Sequence, residues 1–306
     1  MTTRLSLAVA IAVAAAAALA AQQRGPQPFR AGVELVSLNV TVTDPAGKYV
    51  TDLGRDDFAV YEDGAKQNLT FFSHTATPIS MSLLLDTSAS MEDRMGLAQE
   101  AAIGLTRQLH KDDEAEVLDF DSQVRVLSPF THDTSALEKA IRATTANGST
   151  SLYNAVYIAL KDLKKVRVDS SADIRRQAIV LLSDGDDTSS LVDFDSVLEL
   201  AKHSEVTIYS IGLRQGEIAQ REFHEAEYVL RTLSEQTGGR VFFPSDAREL
   251  SKIYQTIWDE MSNQYAMAYS STNPKRDGAW RRILVRVQRP GVIARTKAGY
   301  YAPTGR

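Results

Sequence analysis

No cysteine occurs in the 306 residues. That excludes disulfides, thiolate nucleophiles, Cys-based zinc sites and a lipid carried on an N-terminal cysteine. Positive charge is not in surplus either: the formal net charge is -5, so nothing marks the chain for nucleic acid or an anionic membrane surface. Past the N-terminus no apolar run is long enough to span a bilayer. There is no internal repeat and no long low-complexity stretch. Two catalytic signatures are missing as well, the G-x-S-x-G nucleophile elbow and the G-x-x-x-x-G-K-[ST] phosphate loop. The five histidines, His74, His110, His132, His203 and His224, show no metal-binding spacing and are expected at surfaces or edges.

What is present has ordinary globular proportions, with 43% apolar and 24% charged residues. The length suits one large domain and a smaller one. At the N-terminus Arg4 precedes an apolar run from Leu5 to Ala21, which ends in Ala18-Leu19-Ala20 before Gln22. This is the layout of a secretory signal peptide over residues 1–21. The expectation is an exported protein, periplasmic or secreted, with no membrane insertion after cleavage, and Gln22 to Phe29 reads as an extended linker.

Two kinds of pattern follow. From Glu34, Val36, Leu38, Val40 and Val42 alternate with polar residues, Asp44 to Gly47 makes a turn, and Asp63-Gly64 signals a hairpin with Leu69 to Phe72 on its far side. From Ile79 onward apolar strands and amphipathic helices take turns, which argues for a mainly parallel sheet covered by helices on both faces. A strand pair around Asp121-Ser122 supplies one antiparallel edge. The last helix, Asp246 to Met261, runs almost without a linker into Tyr265, where the β pattern returns. The expected fold class is α/β, doubly wound and Rossmann-like, inserted in or flanked by a small β-sandwich. Its expected parts are residues 30–75, 76–264 and 265–302, with the two β segments pairing because neither buries a core alone.

Asp86, Ser88 and Ser90 lie two apart directly after the apolar run Ile79 to Leu85. In an open α/β sheet the ligand crevice lies outside the carboxyl ends of the strands, and this triplet sits at such an end. A carboxylate and two hydroxyls are hard oxygen donors, suited to Mg²⁺, Mn²⁺ or Ca²⁺. Two more segments complete the pattern: Gly148-Ser149-Thr150-Ser151-Leu152-Tyr153, a small polar loop opening a helix, and Ser183-Asp184-Gly185 after a second apolar strand. Over residues 76 to 264 this order resembles the von Willebrand factor type A domain with its metal-ion-dependent adhesion site (MIDAS), and the flanks resemble exported bacterial proteins related to that family.

The resemblance implies that Ser88 and Ser90 coordinate the ion through hydroxyls. Asp86 and Asp184 ligate it directly or through water, and Thr150 joins when ligand is bound. The cofactor is then Mg²⁺, or Mn²⁺ or Ca²⁺, and the partner a protein whose Asp or Glu carboxylate completes the shell. No catalysis is required. The crevice is expected to face solvent, with Asp86→Ala leaving the fold intact, and Asp186 and Asp187 to form a solvated turn beside the ion. Two alternatives stand beside this reading. A cell-envelope scaffold would use the metal only for stability, and a phosphotransferase of the haloacid dehalogenase type would need a second Asp where Ser88 stands.

Overall fold

The computed structural model describes residues 35–75, 77–166, 175–184, 186–213 and 223–305, without the side chains of 223 and 224. The expected signal peptide and linker lie outside them. From Leu35 the chain forms one compact unit. It opens with β1 (Leu35–Thr43), β2 (Phe58–Glu62), β3 (Ala65–Gln67) and β4 (Leu69–Ser73). The α/β part follows as β5 (Ile79–Asp86), α1 (Met95–Thr106), β6 (Glu114–Phe120), β7 (Val124–Thr131), α2 (Thr134–Arg142) and α3 (Leu152–Leu163). It continues through β8 (Arg176–Ser183), α4 (Phe194–Lys202), β9 (Thr207–Gly212), α5 (Phe223–Thr237), β10 (Val241–Phe242) and α6 (Leu250–Ser262). The chain closes with β11 (Tyr265–Ser270), β12 (Trp280–Val287), β13 (Ile293–Arg295) and β14 (Gly299–Tyr301).

The central sheet has the order β10-β9-β8-β5-β6-β7 and is parallel except for the β6/β7 hairpin. Every residue of β5 is buried, as a strand covered on both faces must be. Its side chains alternate between two cores with the strand's period of two. Met81, Leu83 and Leu85 pack with Ala98, Leu105, Leu137, Ile141 and Ile257 of α1, α2 and α6. Leu84 points the other way, into the cluster with Val156, Val197 and Leu230 of α3, α4 and α5. The expected α/β class with antiparallel flanking sheets is therefore the observed one.

Two four-stranded antiparallel sheets, ordered β13-β1-β11-β4 and β14-β12-β2-β3, are built from both ends of the described chain. Val36, Leu38, Val40 and Val42 meet Tyr265, Met267 and Tyr269 of β11 and Phe58, Val60, Ile283 and Val285 of the opposing sheet in one core. One local expectation fails. The strand across the Asp63-Gly64 turn is β3, not Leu69 to Phe72: Asp63 and Gly64 both take positive φ, and Glu62 pairs directly with Ala65. Such a two-residue turn fixes the register at once. The chain then leaves that sheet at Asn68, and β4 pairs with β11 in the other one.

The α/β part and the sandwich meet at the end of α5. Gly239 N donates to Ser234 O at 2.8 Å and Gly238 N to Glu235 O at 3.3 Å, the paired bonds that cap a helix when its C′ glycine is left-handed; Gly238 has φ +83. The segment between β13 and β14 lies directly on this cap, with Ala298 N bonded to Gln236 O and Arg295 Nη1 to the carbonyls of Gly238 and Gly239. Arg295 also pairs at 2.5 Å with Glu260 of α6, which is buried and accepts from Tyr209 OH at 3.0 Å. Among the described residues no helix is long and apolar enough to cross a membrane.

Candidate metal centre

β5 and β8 are parallel neighbours with Leu85 opposite Leu182, so their carboxyl ends deliver Asp86 and Ser183 side by side. Asp86 is fully buried. Its Oδ1 accepts from Ser88 N at 2.9 Å and its Oδ2 from Ser183 Oγ at 2.5 Å. Burial pushes its pKa up to about 6, against the pull of the Ser183 and Ser88 hydrogen bonds, and the charge of Asp184 pushes in the same direction as burial. The carboxylate thus lies at the base of the crevice, whose rim at Ser90 is exposed. Asp86 ties the first loop to the end of β8, so Asp86→Ala would leave those donors unpaired and destabilise the loop.

Ser88 Oγ lies 3.1 Å from Ser90 Oγ, which donates to Asp184 Oδ1 at 2.8 Å. The other oxygen, Asp184 Oδ2, accepts from Arg94 Nη1 at 2.8 Å. Four of the five expected residues thus join one hydrogen-bonded chain from β5 to the loop after β8. Arg94 was not among them. It ends the short 3-10 helix Ala89–Arg94, and its position is set by a turn of helix bringing it back over the carboxyl end of β8. No spacing rule in the sequence pairs it with Asp184, ninety residues away.

Thr150 is buried on the neighbouring loop, and backbone bonds hold that loop in place. Asn147 N donates to Thr87 O at 2.7 Å, and Ala89 N donates to Gly148 O at 3.1 Å. Gly148 has φ +72, and a Cβ there would stand 2.6 Å from Ser122 Oγ, so the close approach of the β6/β7 turn needs glycine. On its other side, Thr188 N and Ser189 N both donate to Thr150 O. Among the described residues no side-chain hydrogen bond joins Thr150 to the other four. Asp187, expected in a solvated turn, instead accepts from Tyr153 N at 3.1 Å and from Ser190 Oγ at 2.5 Å. A carboxylate at the exposed amides of α3 is stabilised there by the helix dipole.

The donor set fits a hard divalent cation. Two carboxylates balance its charge and three hydroxyls supply neutral oxygens. Among the described residues no three His, Asp or Glu side chains gather as a metal-holding group. Thr87 Oγ1 and Ser151 Oγ, each next in sequence to a residue of the site, and Ser189 Oγ, whose own N–H donates to Thr150 O, are buried without a hydrogen-bond partner. Unsatisfied buried hydroxyls are uncommon and concentrate where an ion, a water or strain explains them.

A family model described as von Willebrand factor type A domain matches residues 81–256, more than half of the chain. A protein of Borreliella burgdorferi, itself uncharacterised, is 27% identical over 231 residues, covering 70% of this chain and 63% of its own length. Among solved structures, a von Willebrand factor type A protein from Catenulispora acidiphila superposes with a TM-score of 0.53 at 12% identity, over 90% of this chain and 75% of that one. Proximal thread matrix protein 1 of the mussel byssus, in a structure with a zinc-occupied MIDAS motif, superposes with a TM-score of 0.51 at 15% identity, over 62% of this chain and 49% of that one. The chain thus spans under two thirds of the curated relative it matches and about half of the mussel protein.

Proposed function

Because this chain belongs to the von Willebrand factor type A domain family, we propose that it is an exported protein-binding module working through a metal-ion-dependent adhesion site. Asp86, Ser88, Ser90, Thr150 and Asp184 would hold one Mg²⁺, or Mn²⁺ or Ca²⁺. The ion supplies a point charge to which a partner's Asp or Glu carboxylate binds, and no bond is made or broken. The observation that carries this reading is the hydrogen-bonded chain Asp86, Ser88, Ser90, Asp184 at the carboxyl ends of β5 and β8. The zinc-occupied MIDAS motif of the mussel protein supports the choice of a divalent cation. Export rests on the layout of residues 1–21 alone.

Arg94 sets a condition on the ion, since a guanidinium already shares Asp184 and lowers the net negative charge of the site. The test is capture of partners from cell-envelope extract on the immobilised protein. Capture is expected in Mg²⁺, and is expected to vanish with chelator or in Ser90→Ala while both proteins stay folded. Partners retained equally under all conditions would show that the ion is not the contact.

A further inference from the structure

At the end of the central sheet remote from Asp86, a cavity of about 520 Å³ lies between the strand starts of the α/β part and the side of the sandwich. Arg176 at the start of β8 and Thr207 at the start of β9 line it on one side, and Phe71, Ala266 and Ala268 of the sandwich on the other. The eight residues of β8 separate this cavity from the candidate metal centre by roughly 25 Å, at about 3.3 Å per residue. The two places are chemically independent.

The walls mix apolar and polar groups, and the charges are one-sided. Leu160, Leu200 and Val206 add to the sandwich residues, while Lys164, Arg175, Arg176, Lys202 and Lys297 stand against a single acid, Glu205, among the described lining residues. Two of these cations are matched from outside the cavity: Arg175 by Glu114 at 3.4 Å and Lys202 by Glu199 at 3.1 Å. Arg176 is buried, and its guanidinium donates to the carbonyls of Thr77 and Met261. Carbonyls satisfy its N–H groups, and among the described residues no carboxylate forms an ion pair with it, Asp113 acting on it only at longer range. Lys297 is half-buried and has neither a hydrogen bond nor an ion pair among the described residues. Its backbone is nonetheless pinned, by Ala298 N to Gln236 O and by the approach of Gly238, where a Cβ would stand 2.5 Å from Lys297 N. Burial holds its ammonium below the ordinary lysine range, with Glu205 pulling weakly the other way.

Cations withdrawn from water without a carboxylate are costly unless a ligand compensates them. A concave, mostly apolar cavity with a few convergent polar groups is the usual form of a small-molecule site. We propose that this cavity binds a small organic anion, its anionic group against Lys297 and its apolar body on Phe71, Ala266 and Ala268. Both the α/β part and the sandwich line the cavity, so an occupant braces one against the other and raises the stability of the whole unit.

Calorimetry and thermal melting of the mature protein with octanoate test this, with octanol as the neutral analogue and inorganic phosphate as the bare anion. Octanoate is expected to bind at one site and raise the melting temperature. Lys297→Met keeps the volume and removes the charge. It should weaken octanoate by about tenfold or more, the loss of roughly one charge-assisted contact, while the ligand-free variant melts no lower than the wild type. Lys164→Gln, on the exposed rim, should weaken it by about threefold, and stands in if Lys297→Met does not fold. Octanol and phosphate should each bind at least about tenfold more weakly than octanoate. Equal octanoate affinity in wild type and Lys297→Met, octanol or phosphate matching octanoate, or no binding of octanoate at all would each overturn the proposal.

Discussion

Single residues show where local spacing stops carrying information. Asp86, Ser88 and Ser90 are legible because two-residue spacing after an apolar strand is a local pattern. The burial of Asp86 and its bond to Ser183 are not, since they depend on β8 arriving beside β5 in register. The same holds for Glu116 on β6, which no motif marks. It is buried and accepts from Ser82 Oγ of β5, and burial pushes its pKa up to about 7, from an ordinary value of 4.5. Between those two pH values the folded protein retains a proton that the unfolded chain has lost, so stability falls as pH rises through the window. The full difference is on the order of 3–4 kcal/mol. Glu116→Gln removes this dependence. Relative to wild type, its urea midpoint should improve from pH 5 to pH 8, and a relative loss over that range would show that the native carboxylate is ionised and favourably bound.

Among the elements, those with a strong period were the readable ones. β5 and β8 announce themselves by their apolar stretches, Leu83 to Leu85 and Ala178 to Leu182, and α5 stops where Gly238-Gly239 says it should. The assignment of β3 and β4 to different sheets was not readable, because Leu69 to Phe72 has strand character whichever partner it takes and only the tight turn at Asp63-Gly64 decides. The cap of α5 does two jobs that substitution can separate. At Gly47, φ is +79 with nothing within 4 Å of an added Cβ, so Gly47→Ala should cost only the left-handed penalty, about 1–2 kcal/mol. At Gly238 the same φ penalty is joined by a clash with the backbone of Thr296 and Lys297. Gly238→Ala should therefore lower stability in urea by clearly more than Gly47→Ala, as the loop between β13 and β14 is pushed off its seat. Equal losses would mean that this contact yields freely.

For the molecule as a whole, the α/β alternation was legible from periodicity, but the means by which its last helix is held was not. Glu260, a charged residue on the buried face of α6, looks out of place in the sequence. In the fold it answers Arg295, Tyr209 and Thr41 at once, from both parts of the chain. With the α5 cap, this network is expected to make the described unit one cooperative body. Amides of β8 and of β11 should therefore open with the same free energy in native-state hydrogen exchange, and Glu260→Gln should lower both together. Opening of β11 at clearly lower free energy than β8 would mean that the sandwich unfolds on its own. The central claim, a divalent cation at the carboxyl ends of β5 and β8, is tested most directly by anomalous diffraction from crystals grown with Mn²⁺. The account predicts one strong peak at about 2.1 Å, the usual distance for a small hard cation, from Ser88 Oγ and Ser90 Oγ, absent in Ser90→Ala. A peak elsewhere, or none with Arg94 still bound to Asp184, would contradict it.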